Sequence, residues 1–176
     1  AMVADLVDDI KNISAVLRCM KRLESSHPEV QLRLIGGGRD EQQLKVLATE
    51  LKILDRTVFF EGRKENRDVY RLLNGADFLV MNSRFETFSL ICAEALSCGK
   101  PVIATRCGGP EEIITPSTGM LIPVNDDDAL LKAIEKMLFT YREYDPAALK
   151  SYAAANFGFK KAAGEFDALY RTILRK

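Results

Sequence analysis

Short, mainly apolar runs alternate with stretches of helical period from one end of the chain to the other, and no other feature constrains the fold as much. The runs are Met2–Val7, Val30–Ile35, Thr57–Phe60, Phe78–Met81, Pro101–Ala104 and Met120–Ile122. Between them Ile10, Ile13, Leu17, Met20 and Leu23 recur at helical spacing, as do Leu44, Leu47, Leu51 and Leu54. Asn66–Leu73, Phe88–Ser97 and Asp128–Phe139 read as further helices. Strands with little polar alternation expect cover on both faces. Bounded by helices of about ten to fifteen residues, they imply βαβ units with right-handed crossovers. The expected fold class is therefore α/β: a doubly wound, Rossmann-like parallel sheet of about six strands, with helices on both faces and a helical C-terminus. That C-terminal part carries Leu149, Tyr152 and Ala153 in one piece and Phe166, Leu169, Tyr170, Ile173 and Leu174 in the next. With 176 residues and no repeat or linker, residues 1–176 read as a single domain. Ligands of such sheets bind beyond the carboxyl ends of the strands, so the strand-to-helix turns are the places to inspect.

Composition narrows the partners. Lys and Arg number 25 and Asp and Glu 25, a balance that leaves no basic footprint for nucleic acid or an anionic membrane. The longest apolar stretches fall far short of the ~20 residues of a membrane span, so no transmembrane segment is expected. The N-terminus turns acidic at Asp5, Asp8 and Asp9 and does not resemble a signal peptide. The four cysteines (Cys19, Cys92, Cys98, Cys107) form no C-x-x-C pair and His27 is the only histidine. A structural zinc site needs about four such ligands close together, so no metal is expected. Cys19, Cys92 and Cys98 sit among apolar helix positions, as small buried hydrophobes do. Reduced thiols point to a cytoplasmic location. His27, in the turn Ser25-Ser26-His27-Pro28, reads as solvated, and neither a Ser-His-Asp nor a Cys-His mechanism is supported.

Three strand-to-helix turns carry residues without a packing reason. In the first, the apolar run Phe78–Met81 empties into Ser83-Arg84-Phe85-Glu86-Thr87-Phe88-Ser89-Leu90, and a helix opens near Thr87. The first N–H groups of a helix lack intrahelical partners and carry its positive dipole end, which suits a phosphate. Glu86 precedes those donors, and Glu94 lies between Ala93 and Ala95 in an otherwise small, apolar helix. Such a carboxylate costs several kcal/mol if buried alone, as an order of magnitude; the two hydroxyls of a ribose would give it bidentate partners. From spacing alone, a capping Glu86 and a solvated Glu94 explain the pattern at least as well. The second turn holds Lys11-Asn12, a cation at a helix start, where the dipole opposes it. The third is Gly36-Gly37-Gly38 followed by Arg39-Asp40-Glu41. Such a turn suits close backbone approach to a ligand at Gly37 and Gly38, while Asp40 as a helix N-cap explains it equally well.

The segment from Ser83 through Glu94 to Cys98-Gly99-Lys100-Pro101-Val102-Ile103-Ala104 is similar to the Glu-x7-Glu motif of retaining glycosyltransferases of family 4, which have the two-domain GT-B fold. The pattern departs from the family at Ser89, where glycine is usual. Leu32–Gly38, Val58-Phe59-Phe60-Glu61-Gly62-Arg63 and Cys107-Gly108-Gly109-Pro110-Glu111-Glu112 resemble further motifs of that family, so the likeness covers nearly the whole chain. The resemblance implies the donor-binding, C-terminal half of such an enzyme, with the N-terminal acceptor domain absent from this chain. It implies that Glu86 contacts donor-sugar hydroxyls and Glu94 holds the ribose. The N–H groups of Thr87, Phe88, Ser89 and Leu90 would hold diphosphate and sugar, and Arg63 with Lys64 would flank the base. Lys11 matches the family's diphosphate-binding lysine and is expected to act in catalysis with Glu86. The family's arginine is replaced by Asp5, which repels a diphosphate; Arg39 and Arg106 are candidate substitutes. The ligand implied is a nucleoside-diphosphate sugar, used as substrate, with no cofactor and no metal. The Glu86/Glu94 spacing argues against the epimerases and phosphorylases that share the fold. A fragment of this kind should bind nucleotide without turnover and expose an apolar face on its last helix, and the full-length protein has room for peripheral membrane contact. The alternative is a non-catalytic nucleotide-sugar-binding module with a degenerate diphosphate site.

Overall fold

The computed structural model describes residues 1–174, and it has the alternating parallel architecture that the periodicity predicts. Strand β1 (Met2–Val3) pairs with β2 (Leu32–Ile35), and β2 with β3 (Val58–Gly62), all parallel, with Met2 opposite Leu34 and Leu32 opposite Val58. A second parallel ladder joins β4 (Leu79–Met81), β5 (Val102–Thr105) and β6 (Gly119–Ile122). The two three-stranded ladders meet at Ala1, whose amine donates to Phe78 O and whose carbonyl accepts from the Val80 N–H, each at 2.8 Å. Across the molecule the order is thus β3-β2-β1-β4-β5-β6, which reverses direction between β1 and β4. That reversal is where an open α/β sheet presents its ligand crevice.

Alternate residues of the central strands enter different cores, as the pleat requires. Phe78, Val80 and Ile103 face the first core; Leu79, Met81, Val102 and Ala104 face the second. The first is closed by Val16, Leu17 and Met20 of helix α2 (Ile13–Leu23), Leu44 and Ala48 of α3 (Glu41–Glu50), and Leu130, Ile134 and Met137 of α7 (Asp127–Thr140). The second is closed by Leu73 of α4 (Asn66–Asn74), by Cys92, Ala95 and Leu96 of α5 (Leu90–Ser97), and by Leu149 and Ala153 of α8 (Pro146–Phe157). Each fully buried Leu or Ile is worth about 1.5–3 kcal/mol, so both layers are needed to fix the sheet. All four cysteines are buried and free.

Several boundaries differ from the sequence reading for local reasons. Regular pairing of β1 stops at Val3 instead of continuing to Val7, although the Ala4 N–H still donates to Ile35 O (3.0 Å) and the Leu6 N–H to Gly37 O (3.2 Å). The first helix divides into α1 (Asp8–Lys11) and α2 because Asn12 adopts left-handed backbone angles, φ 48° and ψ 45°. Helix α5 starts at Leu90 and not near Thr87, because Ser89 is also left-handed, φ 69°. A short helix α6 (Pro110–Ile113) follows β5 unannounced. His27 is not solvated as expected: it is half-buried and packs edge-on against Phe139 at 5.8 Å. The last helix, α9 (Phe159–Leu174), leaves Phe159, Phe166, Leu169, Tyr170, Ile173 and Leu174 exposed, the apolar face expected of it.

Candidate functional site

Beyond the carboxyl ends of β1 and β4 two loops meet, and each brings one charged side chain to the same point. Lys11 ends α1, Glu86 lies in the turn after β4, and Lys11 Nζ donates to Glu86 Oε1 at 2.5 Å. The Ser83 hydroxyl donates to the same oxygen at 2.7 Å, while Oε2 accepts no hydrogen bond among the described residues. The pair is mostly shielded, with the side chains 21% and 14% exposed, so each charge has lost much of its water. The two residues read from sequence as the catalytic pair are therefore in direct contact.

The Glu86 backbone is held from the other side. Its N–H donates to Cys107 O and its carbonyl accepts from the Gly109 N–H, both at 3.0 Å. A Cβ at Gly109 would lie 2.3 Å from Phe88 Cα, so only glycine lets this loop press against the turn. Thr105 donates from Oγ1 to Ser83 O at 2.5 Å, tying the start of the turn to the end of β5.

After Glu86 the chain offers donors with nothing to bond. The backbone N–H groups of Thr87, Phe88, Ser89, Leu90 and Ile91 donate to no group among the described residues, and no side chain caps α5. Thr87 and Leu90 are exposed, Phe88 rests edge-on against Phe157 at 5.8 Å, and Ser89 is buried with its hydroxyl 3.3 Å from Cys92 Sγ. Unpaired amides at the start of a helix carry partial positive charge and accept an anion readily. Beneath them the Cys92 thiol is pushed up to about 12 by burial, so it is a neutral packing group.

Glu94 lies one turn into α5 and is half-buried. Burial raises its carboxyl above the ordinary glutamate range, and the neighbouring Tyr70 hydroxyl on α4 pulls the other way. Among the described residues only the Tyr70 hydroxyl is placed to donate to this carboxylate, so a half-buried charge stands without a full set of donors.

The glycine turn has a packing role. A Cβ at Gly38 would sit 2.5 Å from Leu6 O, and one at Gly36 would collide with Ala4 O at 1.8 Å. Those glycines make room for the β1–α1 loop, and Gly37 leaves open room, with nearest neighbours at 3.5 and 3.7 Å. Asp40 sits at the N-cap position of α3 but does not cap it: its carboxylate accepts from the Asp8 N–H at 2.8 Å. The cations proposed to replace the family arginine are engaged elsewhere. Arg39 pairs with Asp9 at 2.9 Å and Arg106 with Glu111 at 3.6 Å. Arg63 is exposed and reaches Asp5 at 3.5 Å, so the acid that stands in the arginine's place occupies a guanidinium beside it.

Sequence reasoning missed Arg84, Asn82 and Asn125. The Asn82 side-chain N–H donates to Asn12 O at 3.1 Å. Arg84 donates to Asn125 Oδ1 and Asn12 Oδ1, both at 2.8 Å, and to the carbonyls of Asp8 and Asp9 at 2.7 and 3.0 Å. Its partners stand 41 to 76 residues away, a separation no local pattern registers. The one available signal was an arginine in a polar turn with no acid at helical spacing. Among the described residues no cluster of three or more His, Cys, Asp or Glu is placed to hold a metal, and no helix is long and apolar enough to cross a membrane.

The chain is thus an α/β domain with a doubly wound sheet that brings a charged pair and a helix N-terminus with unpaired amides to its switch point. The chain belongs to the group 1 glycosyl transferases, whose family model matches residues 1–154. It is 33% identical over 135 residues to a GDP-mannose-dependent monoacylated alpha-(1-6)-phosphatidylinositol monomannoside mannosyltransferase of Corynebacterium glutamicum, covering 73% of this chain and 35% of that protein. To a D-inositol 3-phosphate glycosyltransferase of Corynebacterium jeikeium it is 30% identical over 178 residues, covering 93% of this chain and 41% of that one. Among solved structures it superimposes on sucrose-phosphate synthase from Thermosynechococcus elongatus with a TM-score of 0.86 at 26% identity, over 99% of this chain and 45% of that one. The Anabaena protein HepE, solved in complex with UDP, gives 0.85 at 20% identity, over 97% of this chain and 48% of that one, a likeness of fold. The chain thus spans less than half the length of each of these proteins, and they share its Rossmann-like GT-B architecture.

Proposed function

We propose that this chain is the donor-binding half of a retaining, metal-independent glycosyltransferase that takes its sugar from a nucleoside diphosphate. The observation that carries this reading is the row of unspent amides at Thr87–Ile91, adjoining the Lys11–Glu86 pair at the switch point. A diphosphate against those amides satisfies donors that the protein leaves open and meets the positive end of α5. Lys11, now neutralised by Glu86, exchanges that carboxylate for a phosphate oxygen. Charge grows on the leaving phosphate as the bond to the sugar's anomeric carbon breaks, so a cation fixed there favours the transition state over the ground state. Glu86, released from Lys11 and still held by Ser83, accepts from hydroxyls of the donor sugar. Glu94 accepts from the two ribose hydroxyls, which supply the donors its half-buried carboxylate lacks.

In the retaining reaction the anomeric carbon exchanges its bond to the diphosphate for one to the acceptor oxygen on the same face. The acceptor's proton passes to the departing phosphate. Acceptor binding is assigned to a second domain, consistent with the share of its relatives that this chain spans, and this chain alone binds donor without turnover. A second reading has its own observation: Asp5 lies in the place of the family's arginine and ties up Arg63 at 3.5 Å. On that reading the module binds nucleotide sugar and catalyses nothing.

The test is an amide-resolved titration with UDP, GDP and ADP. The account expects the Thr87–Ile91 amides to shift in saturable fashion with at least one of them. Saturable binding that leaves those amides unmoved would remove the assignment. The two readings part when this chain is joined to an N-terminal acceptor domain: turnover that is lost in Glu86→Ala supports the enzyme, and donor binding without turnover supports the module.

A further inference from the structure

Helix α1 has four residues and buries none of them, so neither propensity nor packing accounts for its position. It nevertheless delivers Lys11 to within 2.5 Å of Glu86. Its fixed points are therefore hydrogen bonds: Asp40, Ser14 and Arg39 each supply one beside the Lys11–Glu86 pair, and a single residue supplies three. The Arg84 backbone N–H donates to Ile10 O at 2.7 Å, and its guanidinium donates to the carbonyls of Asp8 and Asp9. Three successive carbonyls at the negative end of α1 thus face one arginine, a charge-assisted arrangement. The other arm of the guanidinium holds Asn12 Oδ1, on the left-handed residue that joins α1 to α2. Nε holds Asn125 Oδ1, from the loop between β6 and α7. Arg84 therefore ties together three loops on the ligand edge of the sheet, and it stands two residues before Glu86 in the turn that positions that carboxylate.

The geometry points to Arg84 as a positioning residue that fastens the Lys11 loop to the Glu86 loop, so that the two charged groups stand at a fixed separation before any ligand arrives. This inference rests on the donor-site reading for its consequence, not for its structural content. Arg84 contacts no substrate in this scheme; it acts through Lys11. A lysine in its place keeps the charge but has one donor nitrogen, which cannot span Asn12, Asn125 and two carbonyls at once.

Two measurements test the inference. The first is hydrogen exchange on the ligand-free chain, comparing the parent with Arg84→Met and with Asn125→Gly, which removes one anchor of Arg84 and leaves the Lys11 loop and Glu86 turn unaltered. The amides of Lys11, Asn12 and Ser14 should exchange at least ten-fold faster in Arg84→Met and by a smaller factor in Asn125→Gly, with those of β5 unchanged. Unchanged protection at residues 11–14 would overturn the inference, and so would an equal rise in β5. The second is affinity for whichever of UDP, GDP or ADP binds the parent, in Arg84→Met, Arg84→Lys, Lys11→Ala and the Arg84→Met/Lys11→Ala double variant. Arg84→Met and Arg84→Lys should each weaken binding about ten-fold, and the double variant should match Lys11→Ala within about two-fold, as residues that act as one unit do. Losses that multiply would show that Arg84 does not act through Lys11 and would overturn the inference. If Lys11→Ala binds as the parent does, the donor role of Lys11 fails, and the exchange measurement still decides whether Arg84 holds the loop.

Discussion

Replacing Gly109 with alanine should disable the site by displacing the turn that carries Glu86. The added methyl would lie 2.3 Å from Phe88 Cα, 2.5 Å from its carbonyl carbon and 2.6 Å from its nitrogen, all backbone atoms with no rotamer to change. Reaching an ordinary contact of 3.4 Å means moving one loop by about 1 Å. That displacement breaks the pair of 3.0 Å hydrogen bonds linking Glu86 with Cys107 and Gly109. Two such bonds are worth about 1 kcal/mol each, and overpacking adds roughly 1–3 kcal/mol. The expected loss is about 3–5 kcal/mol, or roughly 6–20 °C in melting temperature for a domain of this size. Nucleotide affinity should fall at least ~ten-fold, since Glu86 and the amides after it move together. Urea denaturation and calorimetric titration read the two effects, with Gly164→Ala as control. No atom lies within 4 Å of a Cβ there, and an alanine in mid-helix is worth about +1 kcal/mol. A Gly109→Ala protein within about 0.5 kcal/mol of the parent, binding nucleotide as well, would refute the view that this loop fixes Glu86.

Ser89→Gly should stabilise the chain by about 0.5 kcal/mol, because relief of left-handed strain of about 1–2 kcal/mol exceeds the added freedom of the unfolded chain; Ser89→Val should destabilise it, both read by urea midpoints. Glu94→Gln should melt above the parent at pH 7. Burial raises the folded pKa of Glu94, so its folded form binds a proton more readily than the unfolded chain does, and stability is lost as pH rises through that range. The two proteins should therefore converge as pH falls below about 4, and a constant gap in a pH series of melting curves would contradict the burial assignment. Cys92, raised to about 12, and Cys19, raised to about 11, should resist iodoacetamide at pH 8 until denaturant is added; rapid labelling of the folded chain, followed by mass spectrometry, would show these thiols to be reachable.

Strand and helix order was legible because the apolar runs and helical periods are long enough to survive local irregularity, and both cores contain the residues that periodicity marks, from Leu17 and Leu44 to Leu96 and Leu149. The boundaries were not, because single residues with left-handed backbone angles decide them. Asn12 breaks a helix that apolar spacing runs straight through, and Ser89 delays α5 by two residues. Asn12 can do so because asparagine, after glycine, is among the residues that tolerate that conformation. The meeting of Lys11 and Glu86 followed from topology once the strand order was known, since both loops leave the sheet at the reversal. Arg84 could not be read in advance, because its partners come from segments that only the fold brings together. The glycine turn has a packing role that no local pattern announces. Gly36 and Gly38 serve close approach by the chain's own Ala4–Leu6 backbone.

The central claim is that α5 holds a nucleoside diphosphate, with Glu94 on its ribose. Calorimetric titration of the parent and of Glu94→Ala tests it, using whichever of UDP, GDP or ADP binds the parent and the 2′,3′-dideoxy form of the same nucleotide. Two hydrogen bonds to a charged acceptor are worth about 1.5–3 kcal/mol each. The account predicts that Glu94→Ala loses at least ~ten-fold in affinity for the ribonucleotide, and that neither protein distinguishes itself with the dideoxy form. Equal binding of the ribonucleotide by the parent and Glu94→Ala would contradict it, as would an equal loss with both ligands.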